Sequence, residues 1–310
     1  MKVGEKEMYL QYYLEELGYL NIPDFLTKYL KTPSLLRLKK VGYFCGMDYA
    51  SKHVYNFREY ISRYDHSLTV SLLVYKLTKN KVATIAGLFH DIATPCFSHV
   101  IDYMNEDYEK QESTEEYTEE ILRGDEYLQK CLKEDNINID EIIDFKRHTI
   151  VDNDRPKVCA DRIDGVILTG ISWTKNISKE DIKNIVDDMH IYKNENNEDE
   201  IGFESSSIAK KVIEVSNSID VYCHSQEDNF MMQLLAKITK YAIEKEYITY
   251  DELYSYNEEE LFNLFKEKED KELKSLIYNF ENVPKEEIPR TELQNVKMRK
   301  LNPIVDGKRI

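Results

Sequence analysis

With 310 residues, 42% of them apolar and 32% charged, the chain can form one large domain or a core with an appendage, and it is too apolar to be disordered or collagen-like. A formal charge of −16 argues against a general nucleic-acid binder, which needs a basic face to displace phosphate counterions. An acidic protein that takes a phosphate ester must capture it with a metal and a few well-placed cations.

Residues 1–32 read as one or two short amphipathic helices, and the stretch that begins at Thr32 reads as an irregular or strand-like lead-in. Val70, Leu73, Val74 and Leu77 fall at i, i+3, i+4 and i+7 and predict a helix over 65–77, with His66 in its first turn. Lys81 to Asp91 predicts a second helix, apolar almost all round and closed by His90 and Asp91. Pro95 stops it, "CFSHVIDYM" starts another helical segment, and an acidic helix from Ser113 to Arg123 ends at Gly124.

Between Val158 and Leu168 an apolar helix is interrupted by Asp161, Arg162 and Asp164, and an acid in such a helix is costly unless paired or bound to metal. "MHIYKNENNEDEIGFE" predicts a hairpin or an exposed insertion. Helices follow over 206–215 and 226–245, then two short charged ones within 251–280, then a tail from Pro284 that holds the only strongly basic stretch. The class is mainly α, divided into a lead-in (1–50), a metal-binding core (51–175) and a mostly helical C-terminal lobe with the basic tail (176–310).

The five cysteines, at 45, 96, 131, 159 and 223, form no C-x-x-C pair and fit reduced cytoplasmic thiols. The chain opens on no signal-peptide core, and no run approaches eighteen apolar residues, so a cytoplasmic location without membrane contact is expected.

His66, the adjacent pair His90 and Asp91, and Asp161 combine into a plausible metal site, because imidazole and carboxylate suit divalent ions and leave positions for water and a phosphate oxygen. A His-Asp dipeptide alone is weak evidence. Here "SRYDHSLTV", "AGLFHDIATPCFSHVID" and "VCADRIDGV" occur in order and resemble the H…HD…D signature of the HD superfamily. The Phe-Ser-His after the pair resembles its deoxynucleotide triphosphohydrolase branch, and the likeness covers most of residues 30 to 265.

The resemblance implies an HD-domain helical core in which His66, His90, Asp91 and Asp161 ligate one divalent ion (Mn, Fe, Zn, Ni or Mg). It implies Asp91, His99 and Asp102 as catalytic residues, Arg63 and Arg162 as substrate cations, and Tyr222, more weakly, as a nucleotide contact near His224. The chain departs from the branch at Ala93 and Thr94, which replace a glycine and a histidine, at Gln111, which replaces a histidine, and at Gly165, which replaces a tyrosine. His148 is the weaker candidate for reaching the site, and His53 and His190 receive no role.

The expected function is hydrolysis of a nucleotide or deoxynucleotide phosphate ester by metal-activated water. The alternatives are a nucleotide phosphodiesterase, a nucleotide-binding regulatory module with weak or no catalysis, and a helical scaffold without metal. A homo-oligomer is carried over from the branch. The basic tail has three candidate roles: closing over a phosphate, self-association, or binding nucleic acid.

Overall fold

Two of the helices that carry the site begin where side chains satisfy their orphan amides. In the computed structural model, which describes residues 8–107, 116–290 and 298–310, Ser62 Oγ accepts from the Asp65 amide at 3.1 Å while Asp65 Oδ2 accepts from the Ser62 amide at 2.8 Å. This reciprocal cap starts α4 (Arg63–Thr78). Asn80 Oδ1 accepts from the Val82 and Ala83 amides and starts α5 (Lys81–Phe89). The two pack closely, with Gly87 of α5 facing Val70 and Val74 of α4.

Before them come α1 (Tyr9–Glu16), α2 (Asp24–Tyr29) and α3 (Pro33–Arg37). The lead-in from Thr32, expected to be irregular or strand-like, is thus helical over Pro33–Lys40 and irregular after it. Pro33 opens the short helix, a 3-10 turn continues it over Leu38–Lys40, and Leu35 and Leu38 are buried. The one extended pairing is a bridge between Gly42 and Ser62.

After α5 follow α6 (Val100–Met104), α7 (Thr118–Gly124), α8 (Glu126–Asp135), α9 (Asp140–Ile143), α10 (Ala160–Ser172) and α11 (Lys179–Asp188). The expected acidic helix is described from Thr118 onward, and residues 113–115 lie outside the described residues, as does Gln111. α10 lies between α4 and α12 (Ser206–Cys223), and Gly170 allows that approach, since a Cβ there would come 3.0 Å from Val215. The C-terminal part adds α13 (Gln226–Glu244), α14 (Glu258–Glu267) and α15 (Lys271–Asn282), with α13 packed on α6.

The expected hairpin is present as β1 (Met189–Lys193) and β2 (Asp199–Phe203), antiparallel with Ile191 opposite Ile201. The tail completes this sheet. β3 (Ile304–Val305) runs parallel to β2, and β4 (Lys308–Arg309) folds back on β3. Arg309 reaches Glu195 and the buried Glu200, so the end of the basic stretch is neutralised internally and is no free basic arm. Among the described residues no helix is long and apolar enough to cross a membrane.

The loop between α5 and α6 carries backbone strain beside the site. Phe97 (φ 65°) and Ser98 (φ 47°) are both left-handed, a conformation that costs non-glycine residues about 1–2 kcal/mol each. The C-terminal lobe holds them there: the Cys96 amide donates to the Leu253 carbonyl, the Phe97 amide to Glu258 Oε1, and the Phe97 ring packs on Phe262. Gly46 (φ 75°) makes the same packing possible, because a Cβ there would sit 2.7 Å from the Phe97 ring.

Candidate metal centre

α4, the end of α5 and α10 bring His66, His90, Asp91 and Asp161 to one point. His66 Nε2 lies 3.1 Å from Asp161 Oδ1 and 3.7 Å from Asp91 Oδ2. His90 Nε2 lies 3.6 Å from Asp161 Oδ1 and 3.7 Å from Asp91 Oδ1. Donors about 3–3.5 Å apart are what neighbouring ligands of one ion show when each bond is about 2.1 Å. His66, His90 and Asp161 form the tightest group, while Asp91 Oδ2 also accepts from Arg63 Nη1 at 2.8 Å.

Both imidazoles are aimed by their second nitrogen. His90 Nδ1 donates to the Gly87 carbonyl at 2.8 Å, which leaves Nε2 facing the centre. That Nε2 is buried and has no hydrogen-bond partner, an arrangement that is costly unless a cation completes it. His66 Nδ1 donates to Asp164 Oδ2 at 2.7 Å, and Asp164 is fixed in turn by the Tyr13 hydroxyl (2.8 Å) and the Thr69 hydroxyl (2.9 Å). The donor set and the orphaned Nε2 fit a divalent ion.

The electrostatics agree. Burial opposes a charge on His66, but the hydrogen bonds to Asp161 and Asp164 outweigh it and raise the imidazole to about 10. Burial likewise raises Asp91, but His90, Arg63 and His66 overcome it and hold the carboxyl at about 2. Asp161 is driven well below the usual carboxylate range by the two histidines despite its burial. The centre therefore concentrates ionised carboxylates against groups that bind either protons or metal.

Arg63 crosses the floor beside them, donating from Nε to Ser98 Oγ at 3.1 Å as well as to Asp91, and it lies 4.9 Å over the Tyr43 ring. His99 Nδ1 is 2.8 Å from Oδ2 of the fully buried Asp102. Burial, aided by the charges of Arg63 and Arg299, lowers His99 in spite of Asp102, so the ring is neutral near pH 7. These groups open onto a cavity of about 510 Å³ lined by Arg63, His66, Asp91, His99 and Asp161. Tyr43, Phe44, Tyr55, Phe57 and Trp173 form an aromatic wall, with Phe44 and Phe57 stacked at 4.4 Å.

Several sequence candidates sit differently. Arg162 lines the cavity, but its guanidinium is committed to Asp152, Asn153 and the Lys157 carbonyl, which makes it a brace for the loop before α10. Tyr222 is 43% exposed, lies outside the cavity lining and packs edge-on against Trp173. His224 bonds the Asp220 carbonyl, and His148 the Glu141 carbonyl, and neither lines the cavity. Thr94 is buried away from the cavity lining.

Gly165 has a physical reason: a Cβ there would stand 2.8 Å from the Tyr43 hydroxyl, so Tyr43 fills the space that a side chain at 165 would need. Sequence reasoning missed Tyr43, Tyr13 and Arg155. Asp164 had left a signal, as a second acid one turn beyond Asp161 in an apolar helix, and Arg299 lies in the basic tail for which closing over a phosphate was one candidate role.

Comparison with known proteins follows the same residues. Residues 63–167 match the model of the HD domain. Over 296 residues, 93% of this chain and 86% of the other, the chain is 25% identical to a Bacillus subtilis (strain 168) protein named "Uncharacterized protein YdhJ". The likeness reaches the domain and stops short of the deoxynucleotide triphosphohydrolase branch.

Proposed function

We propose, from an HD domain and thus a place in a superfamily of metal-dependent phosphohydrolases, that this chain hydrolyses a phosphate ester of a nucleotide or deoxynucleotide. One observation carries the reading: the buried, partnerless His90 Nε2 converges with His66 Nε2 and Asp161 Oδ1 at the floor of a cavity that Arg63 also lines. His66, His90, Asp91 and Asp161 would hold the ion. When bound, it supplies Lewis acidity toward a phosphoryl oxygen and an acidified water.

The chain's own residues do the rest. Asp164 and the Gly87 carbonyl keep a proton on Nδ1 of His66 and His90, so both present Nε2. Arg63 has Nη2 and one Nη1 hydrogen left for a phosphate oxygen after Ser98 and Asp91 are satisfied. His99, with its Nδ1 proton committed to Asp102, presents an unprotonated Nε2 that would take the proton released by the attacking water and pass it to the leaving group. A cavity of about 510 Å³ with a wall of five aromatic rings suits a base and sugar.

Metal content of the wild type and of Asp161→Ala, with phosphate, pyrophosphate and triphosphate release measured across a nucleotide panel, tests the reading. About one ion per chain, lost together with turnover in the variant, is expected. Metal without turnover on any nucleotide would point instead to a regulatory module, and absence of metal would end the proposal.

A further inference from the structure

The cavity has a cationic side that the metal centre does not use. Arg299 reaches it from the tail and is pinned through its backbone on α12: its amide donates to Asp220 Oδ1 at 2.8 Å and its carbonyl accepts from Ser216 Oγ at 2.6 Å. Among the described residues its guanidinium faces no carboxylate in an ion pair. Its Nε is sealed from solvent without a hydrogen-bond partner, and the Cys223 thiol is the polar group beside the guanidinium.

Arg155 lines the cavity from the loop before α10. Its one side-chain hydrogen bond is a long contact, 3.5 Å, from Nη1 to the Met298 carbonyl, and it too has no ion pair among the described residues. Desolvation, followed by the positive fields of Arg299 and Arg162, holds Arg155 down at about 10. Arg63, Arg162 and Arg309, by contrast, each face a carboxylate. Arg155 is exposed and Arg299 partly so, and although the chain carries 58 acidic residues against 42 basic ones, none of those described pairs with either, which leaves both guanidiniums open to an anion in the cavity.

We propose that Arg155 and Arg299 form a second anion subsite, separate from the metal centre, that takes a further phosphate of the substrate. The substrate class is then a phosphate ester with at least two phosphates, such as a nucleoside diphosphate or triphosphate, and a monophosphate leaves the subsite unfilled. This rests on the hydrolase reading of the same cavity. The tail that supplies Arg299 is held by the β2–β3 pairing and by the Asn302 amide on the Pro156 carbonyl, so the two arginines are positioned before any anion arrives.

The test uses the full, manganese-loaded chain and calorimetric binding of inorganic phosphate, pyrophosphate and tripolyphosphate, which needs no turnover. Wild type should bind the two longer anions at least about tenfold more tightly than phosphate. Arg299→Gln and Arg155→Gln should each remove about tenfold of the longer anions' affinity with less than about a threefold change for phosphate, and Arg299→Lys should recover part of the loss. Arg155→Gln, on the rim, serves if Arg299→Gln does not fold.

Equal losses for all three anions, or no loss, would overturn the subsite. Selective loss in a protein that hydrolyses none of the nucleotides would uphold the subsite while the hydrolase reading falls.

Discussion

Glu258 offers a quantitative test of how the C-terminal lobe holds the site loop. It is fully buried, its Oε1 accepts from the Phe97 amide at 3.2 Å, and its Oε2 has no partner. Asp48 Oδ2, equally partnerless, converges with that oxygen on Gly42, where a Cβ would meet them at 2.8 and 2.9 Å. Burial and then the charge of Asp48 push Glu258 up from 4.5 to about 8, while burial raises Asp48 to about 6.

The folded state thus binds this proton more tightly than the unfolded chain. The contribution of this group to stability is greatest below about pH 4.5, declines as pH rises, and is lost beyond about pH 8. Full ionisation against that shift corresponds to about 5 kcal/mol, and sharing of a proton with Asp48 reduces the recoverable part to about 2–3 kcal/mol.

Glu258→Gln keeps the acceptor for Phe97 and offers its amide hydrogens to Asp48. It should stabilise the protein by about 2 kcal/mol at pH 9 and change it little at pH 5, read from urea unfolding at both pH values. An identical offset at the two pH values, or destabilisation at pH 9, would refute the shared-proton account.

Asp164→Asn should leave the fold intact and weaken metal affinity about 10- to 100-fold, measured by chelator competition, because His66 loses the carboxylate that orients it. Tyr13→Phe removes one of the hydroxyls holding Asp164 and should cost about 1–2 kcal/mol in unfolding experiments. Gly165→Ala should displace Tyr43 and raise KM with metal content unchanged, whereas equal KM would mean that Tyr43 does not shape the substrate space. His99→Gln should lower kcat for phosphate release about 100-fold without loss of metal, and an unchanged kcat would remove His99 as the proton carrier.

What was legible in the sequence was local. The stripe from Val70 to Leu77, the His-Asp pair before Pro95 and the acids in the apolar helix read between Val158 and Leu168 each express a periodicity or a cost visible within one turn or two, and they located the helices that converge on the candidate metal centre. The segment from Thr32 was misread because five helical residues rich in leucine are too few to separate a helix from a strand. Tyr222 was placed by its neighbours in the chain, but the face it occupies on α12 turns it to Trp173 and solvent. Tyr13 and Asp164 are 151 residues apart, so no short-range pattern could announce their contact, and the basic composition of the tail raised a phosphate role without showing that Arg299 is the residue held at the cavity by α12.

Three side chains that complete the site come from outside residues 63–167: Tyr13 from α1, Glu258 from α14 and Arg299 from the tail. The stretch that matches the HD domain is therefore not transferable on its own. Recombination or truncation that moved it alone would carry the four metal-site side chains into a new setting without the hydroxyl that fixes Asp164, the carboxyl that holds the strained loop, or a cation on the far wall. A change that keeps the four candidate ligands can therefore still alter their setting through residues far from them in the chain.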